Sequence, residues 1–259
     1  MSRWILLRGL TRESRHWGGF PARLLQAGIG PVTRLDLAGN GVLYQQASPA
    51  SVREMLVAAR QRLAALGLKP PYSLLAMSLG GMVAVDWAQQ HPADVERLVL
   101  VNTSMRPFSP ATQRLRPASW PGLLQIAAGW KHGAGVERRI HELSCADSSA
   151  LERDAAQWLQ IRRSAPVSRA NALRQLWAAA RFKAAAQAPA CPLLLLSSAA
   201  DRLVSPDCSA RLADAWGARH VRHAWAGHDL PHDDPGWTSQ TIADWLRQQS
   251  PAAGSVTPF

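Results

Sequence analysis

Short apolar runs alternate along this chain with longer segments whose apolar residues recur at helical spacing. Residues 4–8, WILLR, form a strand candidate closed at once by Gly9. A helical segment follows over about 16–26, and Gly28 and Gly30 end it. Residues 32–37 alternate into a second strand, and Ala38-Gly39-Asn40-Gly41 is a turn of residues that tolerate unusual backbone angles. Val52, Met55, Leu56, Ala59 and Leu63 place a helix over 51–66, which Lys69-Pro70-Pro71 breaks. The compact apolar run 72–77 predicts a strand, 79–90 a helix closed by His91-Pro92, and 97–101 another strand. After a long interval the alternation resumes with a strand over 191–196 and a helix over 206–217. A strand near 220–223 and a helix over 237–247 complete it.

Strands that are apolar on both faces and separated by helices predict an α/β fold. Its mostly parallel six-stranded sheet is flanked by helices. From Thr103 to about Pro189 the alternation stops, and more than eighty residues are too many for a plain loop. Prolines and tryptophans punctuate the start of this segment, and helical patterns follow at 134–144, 150–163 and 168–187. The segment enters after a strand, on the side where open α/β sheets hold ligands, so a helical cap or lid is expected. The expected division is a core of residues 1–104 and 189–248, a cap of 105–188 and a flexible tail of 249–259.

The sharpest chemical signal is Leu75-Ala76-Met77-Ser78-Leu79-Gly80-Gly81. An apolar strand runs straight into a helix with serine at the junction and small residues, Ala76 and Gly80, two positions either side. Such a turn strains its central residue, and bulky flanking side chains would strike the neighbouring backbone. Taken alone, Ser78 is equally a helix cap. Later residues favour a nucleophile. His228 lies in Ala226-Gly227-His228-Asp229-Leu230-Pro231, beyond the last strand candidate, and Asp201 follows the run Pro192–Ser198. An aspartate leaving the carboxyl end of a buried strand can fix the tautomer of an imidazole and stabilise its charged form. The order Ser78, Asp201, His228 is the nucleophile–acid–histidine order of such folds. Among competing residues, Asp207 is expected to cap the helix over 206–217. Asp229, Asp233 and Asp234 share the His228 loop, and Asp86 and His91 belong to the helix after Ser78. Cys145 sits inside the cap with no comparable turn.

A tetrahedral intermediate needs two donors opposite the nucleophile. The Leu79 N–H, at the start of the new helix, is one candidate. The Leu10 N–H is the other, with Gly9 expected to permit the turn that aims it.

Composition changes little. The formal charge of +11 raises the question of nucleic acid, but the arginines are scattered. Only Lys69, Lys131 and Lys183 are lysines, and most aromatics are tryptophans in apolar segments. No nucleic-acid partner is predicted. No window approaches 18 apolar residues, so no membrane insertion is predicted, and the first ten residues do not read as a signal peptide. A soluble, cytoplasmic protein is expected. Cys145, Cys191 and Cys208 form no CxxC pair and read as free thiols. No metal or cofactor is predicted: neither HExxH nor GxGxxG occurs.

Arg8-Gly9-Leu10, Ala76–Gly80, Asp201-Arg202-Leu203-Val204 and Gly227–Pro231 together resemble the α/β-hydrolase superfamily, in its lidded esterase, lipase-like and thioesterase members. The likeness spans about residues 4–248 and departs from the family in two places. Arg8 stands where relatives often have histidine, and Ala76 where many have glycine. The resemblance implies a serine hydrolase that cleaves a small or moderately apolar acyl ester through an acyl-enzyme. A thioesterase or acyltransferase acting on a carrier-bound acyl group is the alternative within enzymes, and a non-catalytic small-ligand binder is the alternative outside them.

Overall fold

The computed structural model describes residues 2–249. Six strands form one sheet: β1 (Arg3–Leu7), β2 (Val32–Leu35), β3 (Tyr72–Met77), β4 (Val95–Val101), β5 (Leu193–Ser198) and β6 (Arg219–His223). All pairings are parallel, in the order β2-β1-β3-β4-β5-β6. The chain steps outward from β1 to β2, then crosses back to build the sheet on the other side of β1. The switch point therefore lies between β1 and β3, where open sheets leave a crevice at the carboxyl ends of their strands. The loop after β1 and the turn after β3 both open into it.

The central strands are buried on both faces because both carry helices. One face packs Ile5, Leu7, Leu74, Ala76, Leu98, Leu100 and Leu195 against helices α2 (Val52–Ala65) and α3 (Leu79–Gln90). On the other, Leu6, Leu75, Met77, Val99, Val101, Leu194 and Leu196 meet α1 (Phe20–Gln26) and the last helix, Pro235–Gln249. Alternate residues of each strand thus serve opposite cores, which is why these strands read as unbroken apolar runs. Helix α3 is the most enclosed: Leu79 to Ala88 are all buried. Its one buried acid, Asp86, is held by Arg53 through Nε and Nη2 at 2.7 and 2.9 Å.

Between β4 and β5 the cap contributes α4 (Ala111–Arg114), α5 (Trp120–Ala128), α6 (Gly133–Ser144), α7 (Leu151–Ser164) and α8 (Arg169–Arg181). Helix α9 (Asp207–Trp216) follows β5, and α10 (Leu230–Asp233) and α11 (Pro235–Gln249) close the fold. Among the described residues no helix is long and apolar enough to cross a membrane.

Several boundaries differ from the sequence expectation for local reasons. The segment over 16–26 splits into a 3₁₀ turn at Ser14–Trp17 and α1, because Gly18 adopts φ 50° between them. β2 stops at Leu35, after which the Asp36 carboxylate accepts hydrogen bonds from the Ser14 and Val42 amides. Helix α5 begins despite Pro121, which occupies the first turn, where no N–H is needed. α8 ends at Arg181 rather than Gln187, since Lys183 bridges to Arg106 and the Ala184 amide donates to the Arg106 carbonyl. Asp207 does not cap α9: it is the first helical residue, behind Pro206. The expected tail, beyond Gln249, lies outside the described residues.

Trp87 is fully buried in α3, edge-on to Tyr72 at 5.8 Å, with its indole N–H donating to Asp94 at 3.0 Å. Urea unfolding should show Trp87→Ala losing about 3–5 kcal/mol. Trp120→Ala, at a half-exposed cap position, should stay within roughly 0.5 kcal/mol of the parent.

Candidate active site

Ser78 is held in a conformation that a capping serine does not use. Its φ is 53° and ψ −119°, and its side chain accepts no bond from the helix that follows. An N-cap needs extended backbone and an oxygen turned to the next amides, so the capping interpretation fails on both counts. The cause is the close approach of α3 to β1. A Cβ on Gly80 would fall 2.6 Å from the carbonyl oxygens of both Leu7 and Arg8, and one on Gly81 would meet the Thr103 hydroxyl at 2.7 Å. The Ser78 amide donates to Val101 O at 3.0 Å, and Thr103 Oγ1 donates to Ser78 O at 2.7 Å. The strained residue is thereby tied to the end of β4. Ala76 is fully buried within β3, in register with Leu7 on one side and Leu100 on the other.

Gly9 begins a turn, its carbonyl accepting from the Arg12 amide at 3.2 Å, and also lies directly beside Ser78. Its φ is not positive. The left-handed residue of the loop is Thr11, at φ 56°. Gly9 is required because a Cβ there would sit 3.0 Å from Ser78 Cβ. Thr11 is held by the cap: its amide donates to Gln175 Oε1 of α8 at 2.8 Å. The fully buried Gln175 amide group in turn donates to Asn40 and Ser48. Among the described residues neither the Leu10 nor the Leu79 amide has an acceptor. Both expected donors are thus free, one on the loop after β1 and the other at the start of α3.

Asp201 and His228 meet. Asp201 Oδ2 lies 2.7 Å from His228 Nδ1, and both residues are buried. Asp201 Oδ1 accepts from the Leu203 and Val204 amides at 2.8 and 2.9 Å, so the carboxylate is fixed before it engages the ring. Burial alone would lower the His228 pKa, but the Asp201 charge and hydrogen bond outweigh it and raise the value above the ordinary histidine 6.5. Among the described residues no hydrogen bond joins Ser78 Oγ to His228. What holds the His228 loop to the end of β4, where the Ser78 amide is also bonded, is Asn102, which follows β4 at φ 45°. Its amide group donates to Ser198 Oγ, Gly227 O and His228 O, and its side-chain oxygen accepts from the Ser198 amide. Asn102 escaped the sequence reading. Its available signal was an asparagine at a strand end, since asparagine tolerates left-handed backbone.

Arg8, the departure in the donor loop, is spoken for. Its guanidinium pairs with both oxygens of Asp229 at 2.9 and 2.5 Å and lies 4.7 Å from the Trp17 ring centre. Burial pushes the Asp229 carboxyl up, yet the Arg8 charge and hydrogen bonds overcome this and hold it down at about 2. The loop after β1 is therefore bolted to the residue next to His228. Arg12 makes a parallel link to the cap, pairing with Glu137 at 2.6 Å and lying 4.4 Å from the Trp158 ring centre. Arg162 also reaches Glu137, at 3.1 Å. Burial, and after it the charges of Arg12 and Arg8, drive His16, buried beside Arg12, well below the usual histidine pKa. Surface clefts of about 350 and 470 Å³ lie over α5–α6 and beside α4–α9, and neither is lined by Ser78 or His228.

Residues 4–233 match the family described as serine aminopeptidase, S33. The chain belongs to that hydrolase family. RutD of Klebsiella pneumoniae, named by inference as a carbamate hydrolase, is 27% identical over 93% of this chain and 96% of its own length. Among solved structures, the enol-lactonase from Burkholderia xenovorans is similar at a TM-score of 0.76 and 21% identity, covering 95% of this chain and 92% of that one. A thermophilic esterase from Thermogutta terrifontis gives a TM-score of 0.70 at 22% identity, covering 96% and 90%. These structural likenesses carry the α/β-hydrolase fold with its helical lid. The functional assignment rests on the site.

Truncating one member of a buried ion pair strands the other charge. Arg8→Met should therefore lower unfolding free energy by about 3–5 kcal/mol in denaturant titrations. The double variant Arg8→Met/Asp229→Leu should recover most of that loss. A double variant as unstable as the single one would contradict a simple paired role.

Proposed function

We propose that the chain is a serine hydrolase that cleaves a carboxylic ester of a small or moderately apolar acyl compound, with Ser78, His228 and Asp201 as its catalytic residues. The observation that carries this reading is the buried 2.7 Å contact between Asp201 and His228 Nδ1, at the sheet edge where Ser78 is strained. With Nδ1 engaged, Nε2 is the nitrogen left to accept a proton. Ser78 Oγ attacks the acyl carbon as its proton passes to His228 Nε2, a contact that catalytic sites often tighten only when substrate binds. The oxyanion accepts from the Leu79 and Leu10 amides. Collapse expels the alcohol, protonated by His228. A water then attacks the acyl-enzyme, delivering its proton to the same nitrogen, and Ser78 is regenerated with release of the acid. The Asp201 carboxylate stabilises the imidazolium that forms.

In this reading residues 1–104 and 189–248 form the catalytic core, and 105–188 form the cap that covers the acyl group. Family membership supports a serine mechanism, and the printed names of the enol-lactonase and the esterase support an oxygen-ester or lactone carbonyl as target. The family description and the relative's name also bring an amide and a carbamate into the test.

Hydrolysis of short p-nitrophenyl esters, matched acyl thioesters and aminoacyl anilides should favour the oxygen esters. Ser78→Ala should lower kcat/KM by at least about 10⁴-fold with the fold intact by circular dichroism. A variant that keeps a tenth of the activity would refute the assignment of Ser78. A preference for thioesters or anilides would redirect the substrate class while leaving the mechanism standing.

The pH dependence has a defined sign. Neutral His228 is the active form and its pKa lies above 6.5, so kcat/KM should fall as pH drops through a midpoint above that value. Asp201→Asn removes the charge that raises it. The acid limb should then move to lower pH, with a loss of about 10⁴-fold in kcat. An unmoved limb would separate Asp201 from the titrating group.

A further inference from the structure

The cap meets the His228 loop through a second cluster, distinct from the catalytic residues. His141, in the last turn of α6, and Cys145, the extended residue that follows the helix, stand four apart and are both buried. His232 comes from α10, and Asp154 from the first turn of α7. One ring nitrogen each of His141 and His232 and the Cys145 sulfur lie within 4.8 Å of one another. Asp154 Oδ2 sits 2.9 Å from His232 Nε2 and 3.5 Å from His141 Nε2. Trp158 walls the cluster, its ring centre 5.2 Å from that of His141 and 5.3 Å from that of His232.

His141 is 1% exposed, and its Nε2 is buried without a hydrogen-bond partner. With Asp154 Oδ2 3.5 Å away, beyond a good hydrogen bond, this buried nitrogen is an expensive arrangement for a ring whose only purpose is packing. Its neighbours are a thiol, a second imidazole and a carboxylate, the donor types that suit Zn²⁺. Tetrahedral geometry with Zn–N of about 2.0 Å and Zn–S of about 2.3 Å places donor atoms roughly 3.3–3.8 Å apart. The three donor atoms of His141, Cys145 and His232, within 4.8 Å of one another, would have to draw together by up to about 1–1.5 Å to reach that. One thiolate and one carboxylate match the charge of a divalent ion, with the exposed Arg153 guanidinium 3.2 Å from the other Asp154 oxygen.

We propose that His141, Cys145 and His232, with Asp154, bind a single Zn²⁺-type divalent ion that pins the cap to the catalytic-histidine loop. Binding breaks the Cys145 S–H bond, releases that proton to solvent and forms the S–metal bond, with no change of oxidation state. The junction is already stitched on either side of the cluster. The Asp229 amide donates to Ser144 O at 2.7 Å, and the Ala146 and Gly227 amides donate to Asp233 Oδ2 at 2.9 and 2.7 Å. A metal there would fix α6, α7 and α10 together, four residues beyond His228.

The test is to strip the full-length protein with a chelator and titrate it with Co²⁺, then with Zn²⁺. One Co²⁺ per chain should bind with a sulfur-to-cobalt charge-transfer band in the near ultraviolet, and Zn²⁺ should displace it. Cys145→Ser should lose the band, whereas Cys191→Ser, at a half-buried thiol outside the cluster, should keep it. His141→Ala and His232→Ala should each weaken Co²⁺ binding at least tenfold, with circular dichroism checking the fold of every variant. X-ray absorption at the zinc edge of the wild-type protein should find one sulfur and two or more nitrogen or oxygen neighbours, a readout that depends on no variant. A folded wild-type chain that binds no Co²⁺ or shows no such band would overturn the proposal. So would a band that persists in Cys145→Ser or a zinc site without sulfur.

Discussion

The approach of helix α3 to strand β1 leaves no room for even one carbon on Gly80. A Cβ there would overlap the carbonyl oxygens of Leu7 and Arg8. Because the helix begins so close to the neighbouring strand, the chain leaving β3 must turn within one residue, and Ser78 is driven into positive φ. The same crowding presses Gly9 against Ser78 and brings the loop after β1 alongside the turn. Two free amides, Leu10 and Leu79, are then presented from the two strands that flank the topological switch point. One steric constraint thus positions both the proposed nucleophile and the proposed donors. Left-handed backbone at a non-glycine residue costs of order 1–3 kcal/mol and persists only where the surroundings over-determine it. Here those surroundings are the fully buried α3 and the bonds to Val101 and Thr103.

Around this turn the loops are joined by charge and hydrogen bonding more than by apolar packing. Arg8–Asp229 links the donor loop to the histidine loop, Arg12–Glu137–Arg162 links it to the cap, and Asn102 ties β4 to both Ser198 and His228. Buried ion pairs contribute little net stability compared with apolar residues of the same shape. What they supply is direction: a bidentate guanidinium accepts a carboxylate in few orientations. In this site, orientation is what the proposed chemistry requires of His228.

Much of this was legible in the chain. The α3 boundaries and those of β3 follow from the six-residue run between Pro71 and Ser78, apolar but for Ser73, and the unbroken helical run after it. The pairing of Asp201 with His228 follows from two polar residues leaving the ends of later elements in the right order. What stayed hidden is long-range or sterically local. Arg8 and Asp229 are 221 positions apart, and nothing in either neighbourhood names the other. Gly9 looked like a turn glycine and begins a turn, but its contact with Ser78, 69 positions away, is brought about only by the sheet register. The cluster of His141, Cys145 and His232 with Asp154 beside it draws on α6 and the residue after it, α7 and α10, and no single stretch of the chain announces it.

The central claim, that Ser78 is a nucleophile activated by His228, is tested most directly by covalent capture. The folded protein is incubated with a fluorophosphonate and its intact mass measured, followed by peptide mapping. The account predicts one adduct per chain, on Ser78, with labelling abolished in Ser78→Ala and strongly slowed in His228→Ala. A folded protein that remains unmodified, or an adduct mapped to any other residue, would contradict it.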